Sequence, residues 1–310
     1  MKIEVVLTEA EIAQEFIESM QARDLPEKFF YWLPRSVRAW KALTQESGYF
    51  VDLNRSWKQV IAKAPELARQ LGKSLAIISY GAGDGIKDRA IIRALRDAEF
   101  EPRYFPVDAS QAMLETACAG AEDEDIETVG IKADISSPPH LIFASDAADA
   151  PRLFLMAGGT LGGFDPISQM RSVGQAMAKG DRLLIDGEFH RDDSLARRNA
   201  PALQKVVFAP LSGMGVGEED GELRFEEKRD DRHAGLFMVT RYFRAARDLH
   251  TTVAGEELVI QRGERVAMNF QYVYSEEAFR WLAEKQGGLR VLEEFPSPEK
   301  RFATLLCEKA

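Results

Sequence analysis

From Ser74 the chain changes rhythm. Short apolar runs alternate with amphipathic segments, and this alternation restricts the fold more than any other feature of the sequence. Leu75–Ser79 reads as a strand and Ile86–Ala98 as a helix. Arg103–Val107 and Ser110–Cys118 repeat the pair, and Ile126–Ile131 follows as a strand. Leu153–Ala157 reads as a buried strand, Ile167–Met177 as a helix and Arg182–Ile185 as a further strand. A crossover helix returns the chain to the same end of the sheet. Strands joined this way therefore pair in parallel, with helices on both faces.

The flanks differ. Thr8 with Glu11 has the spacing of a capping box, and Ile12, Phe16, Ile17 and Met20 then recur on one helical face, which predicts a helix over about 9–21. Helical spacing returns at Val37–Leu43 and Trp57–Leu71, so residues 1–73 read as a helical N-terminal layer before an α/β core over 74–204. Past 205 the alternation stops. The polar, Gly-rich stretch Gly213–His233 reads as an exposed loop, and two-residue alternation marks strands at Leu236–Phe243, Glu257–Gln261 and Glu264–Tyr274. Residues 205–272 are thus expected to form an inserted, mostly β substrate segment. The helix Ser275–Lys285 and the strand pair Leu289–Phe295 and Arg301–Cys307 would complete the core sheet over 273–310.

The formal charge of −10 over 310 residues argues against a duplex nucleic-acid binder, which presents a basic face. Cys118 and Cys307 are far apart and form no CxxC pair. The four histidines form no HxH or HxxxH pair, so no metal site is expected. The first residues carry acids where a signal peptide needs an apolar run, and no stretch approaches the length of a membrane span. The expectation is a cytoplasmic protein with a small-molecule partner and neither nucleic acid nor membrane. Its oligomeric state is left open.

The chemistry concentrates where strands end. In Ser79–Lys87, SYGAGDGIK, three glycines lie between a strand and a helix. Glycine permits a tight bend and a close backbone approach, and a helix N-terminus offers free N–H groups and positive potential. A dinucleotide fingerprint is G-x-G-x-x-G, and here Ile86 stands at the third-glycine position. The shorter G-x-G-x-G pattern suits a ligand without a diphosphate, S-adenosylmethionine first among them, held by Gly81, Ala82 and Gly83. A plain tight turn is the competing reading. Asp108 ends the second strand and is expected to accept from both ribose hydroxyls, with a helix N-cap as the alternative. Asp134 ends the third strand, within reach of the adenine amino group or simply of water. The fourth strand runs into a loop with four glycines between Leu153 and Pro166, where Gly158, Thr160 and Phe164 would let cofactor and acceptor meet.

Taken together, these segments resemble the ergothioneine-pathway histidine Nα-methyltransferase family. The likeness lies in LPEKFFY (Leu25–Tyr31), in SYGAGDGIK including Lys87, in FLMAGGTLGGFDP (Phe154–Pro166) and in LLIDGEFHRDD (Leu183–Asp193). It implies a class I Rossmann-like methyltransferase sheet and S-adenosylmethionine as cofactor. Departures from the family pattern are equally specific. Ser79 stands where the family carries an acid, and Glu188 where it tends to carry Asp. Gly163 replaces an Asn that helps hold the amino-acid substrate. Asn269 and Gln271 replace a Glu and a Ser that help recognise histidine, and the paired tyrosines read Tyr49-Phe50. The resemblance therefore implies methyl transfer but not histidine in the family's usual binding mode.

N-methylation of a small amino acid or related amine is the expected reaction. It is an in-line displacement that needs a deprotonated nitrogen, and Glu188, Tyr31 and Tyr49 are the candidates to receive the proton. Two alternatives stand beside it: a cofactor-binding homologue or partner subunit without turnover, and a nicotinamide-dependent oxidoreductase.

Overall fold

The structure, a computed structural model, describes residues 1–46, 49–149 and 151–310, apart from the side chains of 45, 46, 49–52 and 70. The N-terminal part comprises strand β1 (Lys2–Val5) and helices α1 (Glu9–Gln21), α2 (Phe29–Trp32), α3 (Pro34–Glu46) and α4 (Tyr49–Ala68). The core follows as β2 (Ser74–Tyr80), α5 (Ile86–Asp97), β3 (Glu101–Asp108), α6 (Gln111–Glu122), β4 (Val129–Lys132), α7 (Pro138–Asp146), β5 (Arg152–Met156), α8 (Pro166–Ala176) and β6 (Arg182–Glu188). Helices α9 (Ser194–Arg198) and α10 (Pro201–Gly213) lead to strands β7 (Gly221–Arg229), β8 (Leu236–Ala245), β9 (Leu249–Val253), β10 (Glu256–Ile260) and β11 (Arg265–Tyr274). Helix α11 (Glu276–Trp281) and strands β12 (Leu289–Pro296) and β13 (Phe302–Lys309) close the chain.

The main sheet runs β1-β4-β3-β2-β5-β6-β13-β12. Its pairs are parallel from β1 to β6, and β13 alone runs against its neighbours. This is the expected class I Rossmann-like methyltransferase sheet. Strand order reverses between β2 and β5, so the chain leaves these two adjacent strands towards opposite sides and opens a crevice at their carboxyl ends.

Period-two alternation explains the layering. Along β2, Ala76, Ile78 and Tyr80 point into one core, where α7, α8 and α11 add Leu141, Met170 and Phe279. Leu75 and Ile77 point into the other, against Leu53 and Trp57 of α4 and Ile91 of α5. A third core joins Ile12 and Phe16 of α1 to Phe208 of α10, Phe243 of β8 and Ile260 of β10. Each buried Leu, Ile, Met or Phe among them contributes about 1.5–3 kcal/mol relative to exposure. The Thr8–Glu11 capping box is formed: Glu11 N–H donates to Thr8 Oγ1 at 3.2 Å, and Thr8 N–H donates to Glu11 Oε2 at 2.8 Å.

Helices α7, α9 and α10 and strand β9 are additions to the expected elements, and two further differences concern sheet edges. The N-terminal layer is not wholly helical, because β1 adds an edge strand to β4. Within the expected loop, Gly221–Arg229 is a strand: β7 forms the edge of the sheet β11-β8-β7, pairing with β8 throughout its length. Leu223 and Phe225 turn towards the third core, and Glu226–Arg229 is solvated and charged. No helix among the described residues is long and apolar enough to cross a membrane.

Candidate active site

At the sheet's switch point the chain encloses a cavity with about 1340 Å³ of empty space, its open mouth included. The bend after β2 forms its floor. Gly81, Gly83 and Gly85 have φ of 71°, 56° and 66°, the left-handed region that disfavours every residue with a Cβ. At Gly81 a Cβ would also stand 2.9 Å from Thr160 Cγ2, so the two glycine loops of the site are in close contact there. Gly81, Ala82, Gly83 and Lys87 all line the cavity, as do Asp108, Asp134, Gly158 and Thr160. All eight residues expected to hold the cofactor therefore share one space.

Asp108 at the end of β3 accepts the N–H of Gly83 at 3.0 Å through Oδ2 and that of Ser110 at 2.8 Å through Oδ1. Burial raises its carboxyl to about 6, against the pull of the Ser110, Gly83 and Ala109 N–H groups. Ser110, rather than Asp108, caps α6. Asp134 is ion-paired: Lys28 Nζ lies 2.7 Å from Oδ2, and Ser136 donates to Oδ1 from its N–H and its hydroxyl. Burial opposes the charge of Asp134, but Lys28 and the two Ser136 hydrogen bonds together hold the carboxyl below the usual range.

The loop after β5 is fixed from behind. Asp186, fully buried in β6, accepts the Gly158 and Gly159 N–H groups at 2.7 Å each and Trp57 Nε1 at 2.6 Å. Burial raises this carboxyl, and the three donors hold it down. One side chain thus ties α4 and the loop to the sheet. The acid missing at position 79 has a neighbour in its place: Asp88 of α5 lines the cavity, accepts Tyr104 Oη at 2.5 Å and is hydrogen-bonded by Ser79.

The remaining lining draws on the N-terminal helices and on strands past 205 as well as on the core. Tyr31, Phe164 and Gln271 belong to it, together with Glu27, Trp40, Arg198 and Arg241. Tyr31 Oη donates to Glu27 Oε1 at 2.9 Å, and Gln271 Nε2 donates to Gly159 O at 3.3 Å. Three expected residues stand apart from it. Glu188 is buried at the end of β6 and bridged to Arg198; it is Arg198, not Glu188, that lines the cavity. Asn269 donates to Glu27 Oε2 and, at 3.3 Å, to Gly163 O, so it holds the wall from behind. Gly163 is buried, and the space its side chain would take is filled by Glu27. Tyr49 opens α4, and its side chain lies outside the described residues.

Sequence reasoning missed Glu27, Asp88, Asp186, Arg198 and Arg241. Two of them left a signal. Asp186 is a charge within the apolar run Leu183–Gly187, and Glu27 precedes Tyr31 by four positions, the spacing that faces two side chains across one helical turn.

The model of a family described as histidine-specific methyltransferase, SAM-dependent, matches residues 9–195. A histidine N-alpha-methyltransferase from Mycolicibacterium smegmatis is 26% identical over 180 residues, which are 55% of this chain and 52% of that protein. The match thus spans about half of that relative's length. Among solved structures, an S-adenosylmethionine-dependent methyltransferase from Clostridium acetobutylicum aligns with a TM-score of 0.47 and 14% identity, over 86% of this chain and 96% of that one. A 1,6-didemethyltoxoflavin-N1-methyltransferase from Burkholderia thailandensis aligns with a TM-score of 0.44 and 9% identity, over 89% of this chain and 88% of that one.

Proposed function

The chain belongs to the histidine-specific, S-adenosylmethionine-dependent methyltransferase family, and from that premise we infer that it transfers a methyl group from S-adenosylmethionine to the nitrogen of a small amino acid or related amine. The observation that carries the reading is the convergence of the glycine bend, Asp108 and the Gly158–Thr160 loop on one cavity at the switch point of the sheet.

The Asp108 carboxylate has about four acceptor positions and takes the N–H groups of Gly83, Ser110 and Ala109, so it keeps capacity to accept from the ribose diol. Asp134 faces the adenine with Lys28 as counter-ion. Gly81, Ala82, Gly83 and Lys87 take the methionyl end, and Gly158 and Thr160 stand between cofactor and acceptor. Tyr31, Phe164 and Gln271 form the acceptor wall, with Asn269 and Gly163 supporting it. Glu188 acts by fixing Arg198. Methyl transfer requires the acceptor lone pair and the sulfonium methyl to be held in line near contact distance, and a rigid loop beside the sulfur favours that alignment. Histidine in the family's usual binding mode is disfavoured, because Asn269 and Gln271 offer amides where the family carries Glu and Ser. The nicotinamide alternative has no support from the family, whose described cofactor is S-adenosylmethionine.

The test is calorimetry with S-adenosylhomocysteine followed by mass spectrometry of a panel of amino acids incubated with protein and S-adenosylmethionine. Binding together with a methylated product is expected. A protein that binds no S-adenosylhomocysteine refutes the reading. Binding without product on any amine favours the non-catalytic homologue.

A further inference from the structure

We propose that Glu27 and Tyr31 form the acceptor-amine site of this cavity, Tyr31 receiving the proton of the incoming ammonium while its own proton passes to Glu27, and that Gly163 is glycine to make room for the Glu27 carboxyl. The inference rests on the methyl-transfer reading above and adds to it the group that prepares the nucleophile.

Three independent observations support it. Both side chains line the cavity on the wall that carries Phe164 and Gln271. Tyr31 Oη donates to Glu27 Oε1 at 2.9 Å, so the phenol oxygen keeps lone pairs to accept from an amine, and its proton already points at a base. The carboxyl is also held firmly. Asn269 donates to Oε2, the Arg241 guanidinium is 3.9 Å from the same oxygen, and Asn269 ties this group to the carbonyl of Gly163.

The glycine gives the third observation. Gly163 is absent from the residues with positive φ, so its backbone does not call for glycine. A Cβ there would stand 2.7 Å from Glu27 Cδ, 2.8 Å from Cγ and 3.0 Å from Oε1. The space of a side chain at 163 is occupied by the acid of Glu27. Glu27 and Gly163 are therefore one structural unit, and a larger residue at 163 would dislodge the base.

The charges facing the pair come from several elements: Arg241 of β8 and Arg198 of α9 towards Glu27, and Asp108 of β3 towards Tyr31. Burial raises the Glu27 carboxyl, while Arg241, Tyr31, Asn269 and Arg198 restrain it. Burial and the Glu27 charge push the Tyr31 phenol far above its ordinary range, so it acts as a neutral relay and not as a phenolate. In the step itself, an ammonium N–H proton moves to Tyr31 Oη as the phenol proton moves to Glu27, which becomes neutral. The freed nitrogen lone pair then forms a bond to the sulfonium methyl carbon. The electron pair of the broken carbon–sulfur bond stays on sulfur. Glu27 returns its proton to water when product leaves.

The probes are the twenty common L-amino acids and their Nα-acetyl derivatives, assayed with S-adenosylmethionine on wild type, Glu27→Gln, Gly163→Ala and the double variant Gly163→Ala with Glu27→Asp. Free amines are expected to bind and be methylated, and their acetyl derivatives are not. Glu27→Gln keeps S-adenosylhomocysteine affinity within about twofold, loses turnover by about 10²-fold or more, and moves the rising limb of the pH–rate profile upward. Gly163→Ala loses turnover likewise, and the shorter acid of the double variant restores part of it. Unchanged turnover in Glu27→Gln, additive effects in the double variant, or a cofactor-binding wild type that takes no free amine would overturn the proposal. Failure of wild type to bind S-adenosylhomocysteine would instead overturn the methyl-transfer reading itself.

Discussion

Acidification should loosen the cofactor before it loosens the fold, and Asp108 sets where. Its carboxyl ionises at about 6. A ribose diol donates to the carboxylate, so the ionised form is the one that binds. At pH 7 about nine-tenths of the free protein carries that form, and at pH 5 about one-tenth. Binding at pH 5 must therefore release a proton, and affinity falls about tenfold between the two, or about 1.4 kcal/mol. The effect on the empty protein has the opposite sign. A carboxyl raised by burial contributes stability that is fully present below its unfolded value and lost as pH rises through about 6. Mild acid thus favours the empty protein at this residue while disfavouring its complex. Calorimetry with S-adenosylhomocysteine at pH 5, 6 and 7, in two buffers of different ionisation heat, measures both affinity and released protons. Asp108→Asn should bind weakly with no such slope. An affinity for wild type that is flat from pH 7 to 5, with no proton release, would refute the assignment of Asp108 to the ribose.

Other substitutions separate scaffold from chemistry. Asp186→Ala leaves the Trp57, Gly158 and Gly159 donors without their acceptor, and is expected to cost about 3 kcal/mol in urea unfolding at unchanged m-value. Gly83→Val places a β-branched residue at φ 56°, and should abolish S-adenosylhomocysteine binding while the far-UV circular dichroism stays native. Glu188→Gln weakens the hold on Arg198, so turnover should fall with cofactor affinity unchanged; equal turnover would remove Arg198 from the acceptor wall.

The core sheet was legible because its physics is local. An apolar run flanked by amphipathic helices must be covered on both faces, and Leu75–Ser79, Arg103–Val107 and Leu153–Ala157 lie where that pattern puts strands. The crevice at the glycine bend was legible for the same reason, since it follows from the carboxyl ends of known strands. The acceptor side was not. Glu27, Asn269 and Gly163 are brought together from α2's approach, β11 and the loop after β5, and their meeting depends on a steric exchange invisible in any one segment. Glu188 read as a pocket acid because it ends a strand, but Arg198 ten residues later turns it inward. The strand β7 was hidden because only Leu223 and Phe225 turn an apolar face inward, and the rest of it is charged and held by pairing with β8.

The central claim is that the left-handed glycine bend and Asp108 clasp one adenosyl ligand. A crystal structure of the chain grown with S-adenosylhomocysteine decides it. The ribose hydroxyls should lie within hydrogen-bond distance of Asp108 Oδ1 and Oδ2, with the homocysteine chain against Gly81–Gly83 and the sulfur facing Tyr31. An adenosyl group bound elsewhere, or a bend filled by protein side chains with ligand at saturation, would contradict it.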